Sequence, residues 1–204
     1  MFLMERRRIT ILPALAAALG VLLSATGGIF AASHNSKIMQ VGVSLAGNPA
    51  PDGACQVVLD ASDKLYTTPY HLYATETSDK VENGKPQSSE MVFAGGARYL
   101  LYNGKWTPSS ISTEELKAME ERNRKNATNV SCHYVRDESV NGESVAVYTM
   151  HSETPRSKND DEVWISKSKG LLLRQETDLI SNRNNGKTHL SSRYEYGNVQ
   201  VPKL

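Results

Sequence analysis

Val163-Trp164-Ile165-Ser166-Lys167-Ser168-Lys169-Gly170-Leu171-Leu172-Leu173-Arg174 is the stretch whose reading decides the fold. A short apolar run with an aromatic, a polar turn closed by glycine and a Leu-rich run read as strand, turn, antiparallel strand. The same grammar extends both ways along the chain. Upstream, Cys132-His133-Tyr134-Val135 turns at Asn141-Gly142 and returns through Val145 to Met150, and a polar loop, Pro155 to Asp161, follows. Downstream, a hairpin pivots at Asn185-Gly186 and ends in His189 to Tyr196. Asn-Gly supplies the two left-handed backbone positions that a tight hairpin turn requires.

Earlier in the chain, Tyr70 to Thr75 reads as a strand followed by a soft turn at Asn83-Gly84-Lys85-Pro86. Met91 to Ala94 and Arg98 to Tyr102 flank Gly95-Gly96, and Asn103-Gly104 turns into Lys105-Trp106. Two helices interrupt the strands. Cys55, Val58, Leu59, Ser62 and Leu65 fall at helical spacing, Asp52 stands where a cap would, and Pro69 blocks continuation. Ser112-Thr113-Glu114-Glu115 has the capping-box form, and its helix fades by Asn126. The second half of that helix, Glu120 to Lys125, reads as a solvated face, with a partner surface as the alternative. Eight or nine antiparallel strands with two helices make a mainly β, α+β chain: a curved antiparallel sheet with helices over one face.

The chain has 204 residues, with 23 Lys plus Arg against 22 Asp plus Glu and a net charge of +1. That length suits one domain, placed at 52–204, and near-neutrality argues against a nucleic-acid partner, which needs a basic surface. All nine tyrosines follow residue 33, and beyond that point the apolar share is about a third, which is lean for a globular domain. Residues 1–33 have the three-part layout of a secretory signal peptide: basic Met1 to Arg8, apolar Ile9 to Leu23, then Ala31-Ala32-Ser33. Cleavage after Ser33 or at Thr26-Gly27-Gly28 leaves no transmembrane span; an uncleaved anchor is the alternative. Residues 34–51 read as a linker or loose arm, and the leading segment predicts secretion into an oxidising compartment. In such a compartment two cysteines, Cys55 and Cys132, predict one disulfide, with a pair of buried free thiols as the alternative.

No chemistry announces itself. His34, His71, His133, His151 and His189 show no metal-ligand spacing, and GxSxG, GxGxxG and phosphate-loop motifs are absent. The expectation is therefore a protein without catalytic residues, metal or cofactor. A curved sheet with few apolar side chains can leave a concave, aromatic-lined groove, where ligands bind in open barrels.

The segment Val163 to Arg174, then Asp178, Gly186-Lys187 and Arg193-Tyr194-Glu195-Tyr196-Gly197-Asn198-Val199, resembles the signature of the LolA-like periplasmic lipoprotein carriers. The resemblance implies an unclosed half-barrel with helices as a lid over the concave face, and a hydrophobic or acylated ligand such as a lipid or lipoprotein. The residues expected to line that face are Phe93, Tyr99, Leu101, Tyr148 and Trp164. The alternative role in such a fold is an envelope sensor or interaction module with a protein partner.

Overall fold

The computed structural model describes residues 53–79 and 85–204. The expected signal peptide, linker and Asp52 cap, and most of the expected Asn83-Gly84 turn, lie outside the described residues. Helix α1, Gly53–Lys64, precedes strands β1 (Tyr70–Ser78), β2 (Gln87–Ala94), β3 (Ala97–Tyr102) and β4 (Lys105–Pro108). Helix α2, Thr113–Asn126, leads into β5 (Thr128–Val140), β6 (Glu143–Glu153), β7 (Ser157–Ser166), β8 (Leu172–Ser181) and β9 (Lys187–Glu195). Among the described residues the nine strands form one antiparallel sheet in the order β4-β3-β2-β1-β9-β8-β7-β6-β5, with β4 and β5 at its edges. It is the unclosed sheet that the strand count and the resemblance imply.

The tight turns form where the sequence places them. Asn103 and Gly104 have φ of 50° and 73°, and Asn141 and Gly142 have 50° and 82°. The capping box also forms: Glu115 N donates to Ser112 Oγ at 3.1 Å, and Ser112 N donates to Glu115 Oε2 at 2.9 Å.

One boundary differs from expectation. The polar segment 157–161 is strand rather than loop, because it pairs on both sides, with β6 and with β8. Ser157, Asn159 and Asp161 alternate into the buried side while Lys158 and Asp160 point out. The period is that of a strand; only the apolar residues that usually mark it are missing.

Residues one register step apart fall on opposite faces, so the sheet divides cleanly. On the helix face, Val58, Ala61 and Leu65 pack on Tyr70, Leu72, Met91, Phe93, Val163, Ile165, Leu172, Leu190 and Tyr194 as the main core. Two ties hold α1 there. Cys55 is bonded to Cys132 of β5 across 77 residues of chain. At the other end of α1, Lys64 Nζ donates to the Lys169 carbonyl at 2.7 Å, in the β7–β8 turn.

Helix α2 is not only a solvated face. Leu116 joins Tyr66 in a small apolar cluster flanked by Ile111 and Met119. Glu120 is buried, accepts from the Tyr66 hydroxyl and from Arg124, and Arg124 also reaches Asp63 at 2.9 Å. Charged residues in this run thus connect the two helices, which burial and not composition reveals.

Candidate functional site

The register separates the five residues expected to share a concave face. Phe93 pairs with Tyr70 and points into the main core, under the Arg98 guanidinium at 5.1 Å. Tyr148 pairs with Val163 and packs at the margin of that core, its ring 5.8 Å from the exposed Tyr134 ring. These two belong to the helix face. Tyr99 and Leu101 alternate with the helix-face residue Leu100 and lie on the opposite, open face, beside Val92 and Trp106. Trp164 is on the open face as well, packed with Val145 and Val147 beneath the Arg174 guanidinium at 4.6 Å. The sheet therefore divides the five, Phe93 and Tyr148 on the helix face and Tyr99, Leu101 and Trp164 on the open face.

Parity carried the missing signal. A two-residue turn at Gly95-Gly96 sets Phe93 against Arg98, which places Tyr99 on the other face.

The helix face is apolar beneath α1 and polar toward the other end of the strands. There Asp161 is buried, and its Oδ1 accepts from Thr177 Oγ1 at 2.5 Å and from Gln175 Nε2 at 2.9 Å. Burial pushes this carboxyl up to about 6, the two hydrogen bonds opposing the shift. Burial likewise raises the Tyr194 hydroxyl, and raises that of Tyr66 with help from Glu120.

The open face holds a cavity of about 780 Å³. Its floor is ladder rows of β5 to β9, with His133, Glu162 and Glu176 in one row and His151, Asp160, Asp178 and His189 in the next. His151 Nδ1 lies 2.7 Å from Asp160, and His189 Nδ1 2.8 Å from Asp178. The hydrogen bond to Asp160 raises the His151 imidazole above its ordinary value. Ser191 Oγ donates to Glu176 at 2.8 Å, and Arg136 Nη1 donates to Glu162 at 2.7 Å. Among the described residues, no group of three or more His, Cys, Asp or Glu is placed to hold a metal ion. This row escaped sequence reading because its members are far apart in the chain. It becomes legible once each turn is centred, since His151 and Asp160 are equidistant from the β6–β7 turn and Asp178 and His189 from the β8–β9 turn.

No protein-family model matches the chain, and no curated protein matches it. Similar solved structures include LprF from Mycobacterium bovis, at 10% identity and a TM-score of 0.41 over 77% of this chain and 99% of that one. The Mycobacterium tuberculosis lipoprotein LppX is 14% identical, with a TM-score of 0.38 over 73% of this chain and 96% of that one. The LolA superfamily protein NE2245 from Nitrosomonas europaea is 8% identical, with a TM-score of 0.24 over 74% and 94%. The chain itself is an unclosed antiparallel sheet with helices on its apolar face. No described helix is long and apolar enough to cross a membrane.

Proposed function

We propose that the protein is an exported, periplasmic, non-catalytic binding protein that takes an apolar or acylated ligand, a lipid or a lipoprotein's acyl chains, against its helix face. The observation that carries this reading is the tethered helix over an apolar sheet. Helix α1 is held at both ends, by Cys55–Cys132 and by Lys64, over the main core. Leu100, Tyr148, Met150 and Tyr196 remain only partly buried at the margin of that core. Apolar side chains at the rim of a lid gain by being covered, at about 25 cal/mol for each Å² of apolar surface removed from water. Tyr148 is the residue of the expected set at that rim, while Phe93 is buried within the core. Tyr99, Leu101 and Trp164, on the open face, would meet only a ligand that reaches around the sheet. Purification from the native envelope followed by lipid mass spectrometry tests the reading: a co-purifying lipid, competed off by added acyl chains, is expected. Absence of any bound or competable lipid overturns it.

A protein partner is the second reading, and edge strand β5 favours it. Among the described residues one side of β5 has no neighbouring strand, and Val130, Tyr134 and Val135 on it are exposed. An open edge with apolar side chains is a template for strand addition. The charged helix is a weaker candidate surface, since Arg124 is already engaged with Glu120 and Asp63. Val130→Lys should abolish capture of an envelope protein while leaving lipid binding intact.

A further inference from the structure

Strand β3 places a guanidinium under helix α2 with no carboxylate beside it. Arg98 is 3% exposed and lies on the helix face, opposite Phe93 in the pairing of β2 with β3. Its Nη1 donates to Thr113 Oγ1 of α2 at 3.1 Å, and the guanidinium lies over the Phe93 and Tyr66 rings at 5.1 and 5.3 Å. Among the described residues, Nη2 has no hydrogen-bond partner and no acidic side chain pairs with Arg98. Glu120, the buried acid of α2, is already engaged by the Tyr66 hydroxyl and by Arg124. A charge taken out of water without a counter-charge is an arrangement that folding by itself disfavours.

Two phenols stand beside it. The Tyr70 hydroxyl is fully buried and, among the described residues, unpartnered. The Arg98 guanidinium is near enough to oppose the rise that burial gives this hydroxyl. The Tyr194 ring meets that of Tyr70 edge-on at 5.6 Å, and its buried hydroxyl is likewise unpartnered. Were Arg98 to close on the Tyr70 oxygen, its charge would still be uncompensated and both phenol protons undonated. An oxyanion answers all three groups, since it accepts from phenols and guanidinium alike in charge-assisted hydrogen bonds. The rim of the lipid site adjoins this place. Leu100 is two residues from Arg98 on the same face of β3, and the Tyr196 ring lies 6.3 Å from that of Tyr70. Helix α2 is held above by the small apolar cluster around Leu116, so a lift of α2 opens the way in. One positive charge, with Glu120 close by, favours a head carrying a single negative charge over one carrying two.

We propose that Arg98, with the hydroxyls of Tyr70 and Tyr194, binds the singly charged oxyanion head of an amphiphile whose chain lies along the Leu100 and Tyr196 rim. A fatty-acid carboxylate and the phosphodiester of a lysophospholipid share that chemistry. The proposal rests on the lipid reading and adds to it a selection for a negative head group.

Calorimetric titration of the full chain with laurate, with uncharged monolaurin and with dodecyltrimethylammonium, all below their micelle concentrations, tests this. Laurate should bind roughly tenfold or more tighter than monolaurin, and the cationic amphiphile weakest. Tyr70→Phe keeps the ring and removes only the hydroxyl. It should weaken laurate roughly threefold or more while monolaurin binding and the thermal melt stay at the parent's values. Arg98→Met should abolish the preference for laurate; if that variant fails to fold, Tyr70→Phe and the head-group comparison decide. Lauroyl lysophosphatidylglycerol separates the two oxyanions: the head that binds tighter and loses more in Tyr70→Phe is the one the site fits. Equal binding of laurate and monolaurin, or a preference unchanged in the folded variants, overturns the head-group site and leaves the lipid reading standing. Absence of binding by every one of these amphiphiles overturns both.

Discussion

Replacing Asp161 by Asn removes a titratable group from a fully buried position and leaves its hydrogen bonds in place. Thr177 Oγ1 and Gln175 Nε2 both donate to Oδ1, an atom that Asn retains. The carboxyl is raised from 3.8 to about 6, a difference of about 2 pH units, and each unit corresponds to about 1.4 kcal/mol. The folded state binds its proton more tightly than the unfolded chain does. Asp161 therefore contributes stability below about pH 4, and that contribution is lost as pH rises through about 6. At neutral pH the ionised side chain costs about 3 kcal/mol relative to a neutral isostere. Asp161→Asn should thus be more stable than the parent at about pH 7.5, by roughly 6 to 12 °C in Tm for a domain of this size. Urea unfolding followed by circular dichroism, repeated from about pH 4 to 7.5, isolates the group as the difference between parent and variant. That difference should grow between pH 4 and 6 and then level off. A variant no more stable than the parent at pH 7.5, or a difference independent of pH, would refute the reasoning.

Further expectations follow from single contacts. The oxidised protein should resist thiol alkylation until reduced, and reduction or Cys132→Ala should lower the melting temperature by several degrees. The disulfide closes a 77-residue separation, for which loop entropy gives about 4.5 kcal/mol at most; free alkylation of both thiols in native protein would overturn it. Gly170 has φ of +61°, and a Cβ there would lie 2.6 Å from Lys64 Nζ. Gly170→Ala should therefore cost about 1–2 kcal/mol in denaturant unfolding, and Lys64→Met should cost less, since it loses the α1 tie but strains no backbone. By NMR titration His151 should titrate above the ordinary imidazole value because of Asp160. Asp160→Asn should bring it down, and an unchanged midpoint would mean the pair does not persist in solution.

Much of the architecture is local and could be read residue by residue. Asn103-Gly104 and Asn141-Gly142 specify tight turns through backbone freedom alone, and Ser112 with Glu115 specifies a helix start through two hydrogen bonds within one turn. Cys55 and Cys132 could be paired by counting. Local chemistry of this kind names the elements and where they stop. What it could not settle was which residues share a face. Phe93 and Tyr99 are both aromatic strand residues, yet they point to opposite sides because a two-residue turn fixes their parity. Burial of Glu120 depends on Tyr66, Asp63 and Arg124 meeting between two helices far apart in the chain. The row His151, Asp160, Asp178, His189 exists only once four strands align in register. Composition and spacing determined a disulfide-tied antiparallel sheet with two helices. The tertiary structure alone decided its two faces, one apolar under a helix and one lined by carboxylates and imidazoles. The physical reason is that a shift of one residue in strand register exchanges every side chain between faces.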